Sequence, residues 1–168
     1  GFWNRIASGL QDDGSSTFLP SAVVVVGQGS NDVAYSTDGD TWSTTALPAA
    51  IDASSAKFIA YGNVVGTTQN RFVVVSSNDR DVAYSDDGGA TWSVATNGLS
   101  GVGFTSIAYG AGKFVAVSQG TTAAAYSTDG IAWTTVVTPG SFAAATDVTW
   151  GNGKFVALGG ANGTMYSL

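Results

Sequence analysis

The chain has 168 residues, a net charge of −6, and 11% charged against 44% hydrophobic side chains. That length suffices for one domain with a buried core. The composition excludes disorder, and no apolar run approaches the ~18 residues of a membrane-spanning helix. Cys, His and Glu are absent and all twelve acids are Asp, which excludes the usual zinc sites, thiol nucleophiles and imidazole bases. The charged helix formers Glu, Lys and Arg total only six residues, whereas Val, Thr, Ser and Gly abound, so strands and turns are expected. Six scattered cations on an acidic chain predict no binding to nucleic acid or to anionic membranes. The start at Gly1 without an initiator Met, and with no signal peptide, predicts a processed chain or a segment of a longer one.

In chain order, the first apolar stretch is "GFWNRIASGL" (Gly1–Leu10), followed by "SAVVVVG" (Ser21–Gly27) and "VAYSTDGDTW" (Val33–Trp42). Ala22–Val26 is apolar without alternation, so both of its faces are expected to be buried. Then come "IAYG" at Ile59, a longer connection "NVVGTTQ" after Gly62, "NRFVVVS" at Asn70 and "VAYSDDGGATW" (Val82–Trp92). The same succession returns as "IAYG" at Ile107, "GKFVAVS" at Gly112 and "AAYSTDGIAW" (Ala124–Trp133), and again as "VTWG" at Val148, "GKFVALG" at Gly153 and "MYSL" at the end. Tyr-Ser pairs thus stand at 35, 84, 126 and 166.

Each unit holds three or four short apolar runs punctuated by Gly, Asn, Asp and Ser, with no helical period. A repeat near 40 residues with four strands per unit is the signature of a β-propeller. The expected architecture is all-β: a single small propeller of four blades, each of about 42 residues, over 16–50, 51–100, 101–141 and 142–168. Gly1–Leu10 resembles the segments after the other Tyr-Ser pairs, with Trp3 in the place of Trp42, Trp92 and Trp133. It is therefore expected to finish the last blade, closing the ring on its own chain, or to complete the blade of a neighbouring copy.

The segment "SDDGGATW" fits the pattern Ser-x-Asp-x-Gly-x-Thr-Trp through Ser85, Asp87, Gly89, Thr91 and Trp92. "STDGDTW" (Ser36, Asp38, Gly39, Trp42) and "STDGIAW" (Ser127, Asp129, Gly130, Trp133) are shorter by one residue. These motifs resemble the Asp-box (BNR-repeat) propellers of the sialidase-like kind. With "AYGxGKFVAV" upstream, they are most similar to the small repeat propellers of phage tail and virion proteins and of secreted bacterial proteins. The resemblance implies a structural box remote from any catalytic centre. Physically, Asp accepts backbone N–H groups while Gly supplies positive φ. Asp38, Asp87 and Asp129 read as turn-formers, and a calcium role for Asp86 with Asp87 lacks EF-hand spacing. The tryptophans read as inter-blade packing, with sugar platforms as the alternative.

Sialidase-like catalysis, as the family implies it, needs three convergent arginines and a Tyr supported by Glu. Arg5, Arg71 and Arg80 fall in different places, Arg71 occupies a repeated surface slot shared with Lys113 and Lys154, and Glu is missing. A two-carboxylate glycosidase has one candidate on an innermost strand, Asp147, whose sister positions are Ser106 and Phe58. Asp147 reads as a channel-lining or ion-holding acid, or as a hydrogen-bonded acid at a strand start. No enzyme activity and no cofactor are expected.

The expected function is a structural or interaction module of a virion or extracellular assembly, its partners being other particle proteins or copies of itself. The alternative is a glycan-binding propeller. The candidate surface is the enlarged loop with Asn63, Thr67, Thr68, Gln69, Asn70 and Arg71, together with "SQGTT" (Ser118–Thr122) and "GGANGT" (Gly159–Thr164).

Overall fold

The computed structural model describes residues 2–11, 19–78, 81–96, 99, 103–118, 124–136, 144–159 and 164–167. Among these residues, fifteen strands form four antiparallel sheets, each built from consecutive strands. The first sheet holds β1 (Phe2–Gln11), β2 (Leu19–Gln28), β3 (Asp32–Ser36) and β4 (Ser43–Ala46). The second holds β5 (Lys57–Asn63), β6 (Asn70–Ser76), β7 (Val82–Ser85) and β8 (Ser93–Val94). The third holds β9 (Phe104–Gly110), β10 (Lys113–Ser118), β11 (Ala124–Ser127) and β12 (Thr134–Val136). The fourth holds β13 (Ala145–Gly151), β14 (Lys154–Gly159) and β15 (Thr164–Ser167). The inner strands β1, β5, β9 and β13 lie side by side in that order, and no comparable packing joins β13 to β1 among the described residues.

The first strand departs from its expected place. Gly1–Leu10 does not complete the last sheet: Phe2–Gln11 pairs with β2, Ile6 opposite Val25 and Ala7 opposite Val24. It is the inner strand of the first sheet. A pairing between strands adjacent in sequence closes a far shorter loop than one spanning the whole chain, and so carries the smaller entropic cost.

The sheets stack by one repeated rule. Between consecutive sheets, the forward face of one meets the rear face of the next. In β6, Phe72 and Val74 point back and join Val24, Val26, Val33 and Ile59 in one core cluster. Val73 and Val75 point forward and meet Phe104, Ile107, Phe114 and Ala116. Val115 and Val117 repeat this against Val148, Phe155 and Ala157. Alternation of side chains along a strand makes this division automatic.

The inner strands interlock by a second device. A Cβ on Gly9 would fall 2.2 Å from the Tyr61 ring, one on Gly62 2.1 Å from Tyr109, and one on Gly110 2.2 Å from Trp150. Each glycine leaves the space into which the aromatic ring of the following sheet is laid. Those rings also stack on the cross-strand Phe of their own sheet, with centroids at 4.7 Å (Tyr61–Phe72), 4.8 Å (Tyr109–Phe114) and 4.6 Å (Trp150–Phe155). Such tilted pairs add about 0.5–1.5 kcal/mol each beyond burial.

Candidate functional site

The three Ser-x-Asp turns join the third strand to the fourth in sheets one to three. In the first, Asp38 Oδ1 accepts the N–H of Asp40 (2.9 Å) and of Thr41 (2.7 Å) and the Ser36 hydroxyl (3.0 Å). Asp129 Oδ1 accepts from Ile131 (2.8 Å), Ala132 (2.9 Å) and Ser127 (2.8 Å). Asp87 accepts the Thr91 N–H at 2.9 Å and its hydroxyl at 2.5 Å. The buried serines in turn accept the N–H of Gly39, Gly89 and Gly130 at 2.8, 2.9 and 2.7 Å. Each following indole donates to its glycine carbonyl: Trp42 at 3.2 Å, Trp92 at 2.9 Å, Trp133 at 3.1 Å.

These bonds favour the ionised carboxylates. The N–H groups of Thr41 and Asp40, with the Ser36 hydroxyl, lower Asp38 to about 2. Burial pushes Asp87 up, but the Thr91 and Ser85 donors outweigh it and hold the carboxyl below its ordinary value. Asp129 follows the same balance, burial against Ile131, Ala132 and Ser127. The Asp carboxylates are spent on the turns.

The glycines and tryptophans differ by position. Gly89 fits over Val24, where a Cβ would come within 2.6 Å of Cγ2, and Gly130 fits over Val73 with the same 2.6 Å. Trp133 is buried, and Trp92 packs partly buried against the first sheet. Trp42, however, is 44% exposed and Gly39 faces open space. Inter-blade packing therefore holds for two of the tryptophans and not for Trp42, whose sheet has none before it among the described residues. Trp3, 54% exposed on β1, is not a turn tryptophan.

The enlarged loop between β5 and β6 meets the second turn at the rim. Its backbone closes by the Val64 N–H donating to the Gln69 carbonyl at 2.8 Å and Thr67 Oγ1 donating to the Val64 carbonyl at 2.9 Å. Beside it opens a cavity of about 350 Å³ lined by Thr37, Tyr61, Thr68, Gln69, Asn70, Asp86 and Asp87. Thr68, Gln69 and Asn70 are thus gathered with the acidic pair. Thr67 is spent on the turn, and the Asn63 amide donates to the Asn70 side chain.

Arg71 corrects the sequence reading. It is buried and not a surface residue: it donates Nε to Asp86 Oδ1 at 2.6 Å and Nη2 to Oδ2 at 2.8 Å. It also reaches the Asp129 carbonyl, and its guanidinium lies 4.4 Å from the Tyr84 ring centroid. The third turn covers it, a Cβ on Gly130 falling 3.3 Å from Arg71 Cδ. Arg71 staples two turns together by a bidentate, charge-assisted pair. Lys113 makes the weaker counterpart, 5.2 Å above the Tyr126 ring.

The remaining candidates do not converge. Arg5 lies over the Phe58 ring, and Arg80 falls outside the described residues, as do most of the Ser118–Thr122 and Gly159–Thr164 loops. Asp147, exposed on β13, accepts the Ser106 hydroxyl at 2.6 Å and the Val148 N–H at 2.9 Å. Sequence reasoning missed Lys57, which is fully buried with Nζ donating to the carbonyls of Asp52 (3.2 Å), Ala53 (3.2 Å) and Ser55 (3.1 Å). No sequence pattern marks it, because its partners are backbone atoms. Among the described residues no three His, Cys, Asp or Glu side chains gather as a metal cluster.

No family model matches the chain, and no curated protein matches it. Solved structures do. Virginiamycin B lyase from Staphylococcus aureus superposes with a TM-score of 0.61 at 16% identity, over 88% of this chain and 51% of the lyase. A nidogen/laminin complex gives 0.60 at 13%, over 92% and 54%, and YCF48 bound to a D1 peptide gives 0.62 at 15%, over 98% and 50%. These are β-propellers. The chain has the propeller fold. It spans about half the length of the solved chains it matches, and identities this low speak for the fold alone.

Proposed function

We propose that the chain is a non-catalytic propeller of the Asp-box kind, serving as an interaction module of a larger assembly, a virion or other extracellular particle, through the rim groove beside the enlarged loop. The observation that carries this reading is the groove itself. It gathers Thr37 of the first turn, Thr68, Gln69 and Asn70 of the loop, and Asp86 and Asp87 of the second turn beside Tyr61, and Arg71 holds that second turn through Asp86. A groove lined by amides and hydroxyls suits an extended backbone, whose N–H and C=O groups need partners of both kinds. Two of the similar structures are complexes, nidogen with laminin and YCF48 with a D1 peptide, which supports protein recognition.

Absence of catalysis is part of the reading. It is supported by the turn carboxylates being committed to backbone donors, and by Asp147 being held by Ser106. The test is capture by the immobilised chain from dissociated particles. Wild-type protein is expected to retain one particle protein, and the double variant Gln69→Ala, Asn70→Ala to lose it. Retention that ignores both substitutions sinks the groove.

The same polar lining favours glycan hydroxyls as a second reading. A glycan array is then expected to show a binder that Gln69→Ala removes, with no retained particle protein.

A further inference from the structure

We infer that two copies of this chain join head to tail, the forward face of the fourth sheet against the rear face of the first, into one closed ring of eight sheets. The rule by which the sheets stack carries the inference. Three times within the chain, a forward face built around a central Val receives a rear face. Val24 receives Phe72, Gly89 and Trp92; Val73 receives Phe114, Gly130 and Trp133. Val115 receives Phe155.

One face of each kind is left over. On the fourth sheet, Val156 stands where Val24, Val73 and Val115 stand, with Leu158 two residues on and 42% exposed. Gly151, the counterpart of Gly9, Gly62 and Gly110, meets nothing within 4 Å. On the first sheet, Val23 and Val25 are only half-buried, and Ile6, opposite Val25, is 65% exposed. Gly39 and Trp42 belong to this rear face by analogy with Gly89 and Trp92; among the described residues nothing lies within 4 Å of a Cβ on Gly39, and Trp42 is 44% exposed.

Most of the exposed large hydrophobic residues among the described ones lie on these two faces or at their margins: Trp3, Ile6, Trp42 and Leu158, with only Val65 and Val94 elsewhere. Monomeric proteins rarely expose contiguous apolar patches larger than a few hundred Å². The two patches are complementary to each other and not to themselves, so the contact is heterologous and closes only as a ring. The propellers that resemble this chain are about twice its length. A second copy would bring the assembly to about their length. At Gly151 the partner residue would be Ser8, a smaller contact than the rings used inside the chain.

The pairing of faces stands apart from the rim groove and survives its loss. Light scattering over a concentration series tests it. The wild-type chain is expected to run at twice 16.9 kDa, and Trp42→Asp and Leu158→Asp each at 16.9 kDa with unchanged circular dichroism. An equimolar mixture of the two variants is expected to recover the double mass. One of each places both substitutions on a single contact and leaves the other intact. If Trp42→Asp disturbs folding, Ile6→Asp on the same face replaces it. A wild-type monomer at every concentration, a two-copy species indifferent to both substitutions, or polymers that lengthen with concentration would each overturn the ring.

Discussion

Strands β2 and β6 carry equivalent apolar runs, Val23–Val26 and Phe72–Val75, and meet different fates. In β6, Phe72, Val73, Val74 and Val75 are all buried, at 1% exposure or less. In β2, Ala22, Val24 and Val26 are buried while Val23 and Val25 are only half-buried. The unbroken apolar run Ala22–Val26 predicts burial on both faces, and the structure buries one. Among the described residues, the second sheet has neighbours front and back, the first only in front. Burial of a strand is thus a property of its place in the stack, and an apolar run states a requirement that the chain alone fulfils for the middle sheets.

The largest break in this comparison should come from Phe72→Ala, which empties a fully packed site and is expected to cost about 3–5 kcal/mol in denaturant unfolding. Val25→Ala on the open face, measured on dilute protein, is expected to cost about 1 kcal/mol or less. Equal losses would mean that the first sheet is covered after all.

Next come the turn glycines. Gly130→Ala combines φ +72° with a Cβ 2.6 Å from Val73. It is expected to lose about 2–4 kcal/mol, left-handed strain plus overpacking. Gly39→Ala at φ +82° in open space should show the strain alone, about 1–2 kcal/mol. Thermal melts of the pair separate the two contributions.

The tryptophans sharpen the contrast at the same seats. Trp133→Ala is expected to cost about 3–5 kcal/mol, and Trp42→Ala, in dilute monomeric protein, to stay within about 1 kcal/mol.

The smallest effect is in acid. The Asp38 carboxyl is ionised in the folded chain down to about pH 2, below its ordinary 3.8. The stability it contributes is complete above that ordinary value and is lost as pH falls through it toward 2. Asp38→Asn should flatten this part of the pH–stability curve, read by chemical denaturation at fixed pH steps. A variant curve parallel to wild type would dissociate the turn hydrogen bonds from the carboxylate charge.

Much of the fold is legible in the sequence because its signals are local. Ser36, Asp38 and Gly39 make their bonds within a few residues, so the spacing in the sequence is the spacing of the turn. The alternation within Phe72–Val75 likewise reads directly as two packed faces. Trp3 misplaces β1, although another signal is present: Ala7-Ser8-Gly9 matches Ala60-Tyr61-Gly62 and Ala108-Tyr109-Gly110 once the glycine, and not the aromatic residue, is taken as the invariant part of the repeat. The glycine is what the next sheet requires, since a side chain there would strike its ring.

At the candidate site the split is the same. The enlarged connection marks the loop residues Thr68, Gln69 and Asn70 but not their meeting with Asp86 and Asp87, because loop and turn are joined across the rim of the sheets. The burial of Arg71 depends on a turn from the following sheet, 58 residues on, laid over its side chain. The sequence by itself determined the strands, the turns and the repeat, all set by hydrogen bonds and alternation over a few residues. Tertiary structure alone decided which faces are covered, which tryptophans are seated and where Arg71 points, because those depend on the neighbouring sheet and not on the strand.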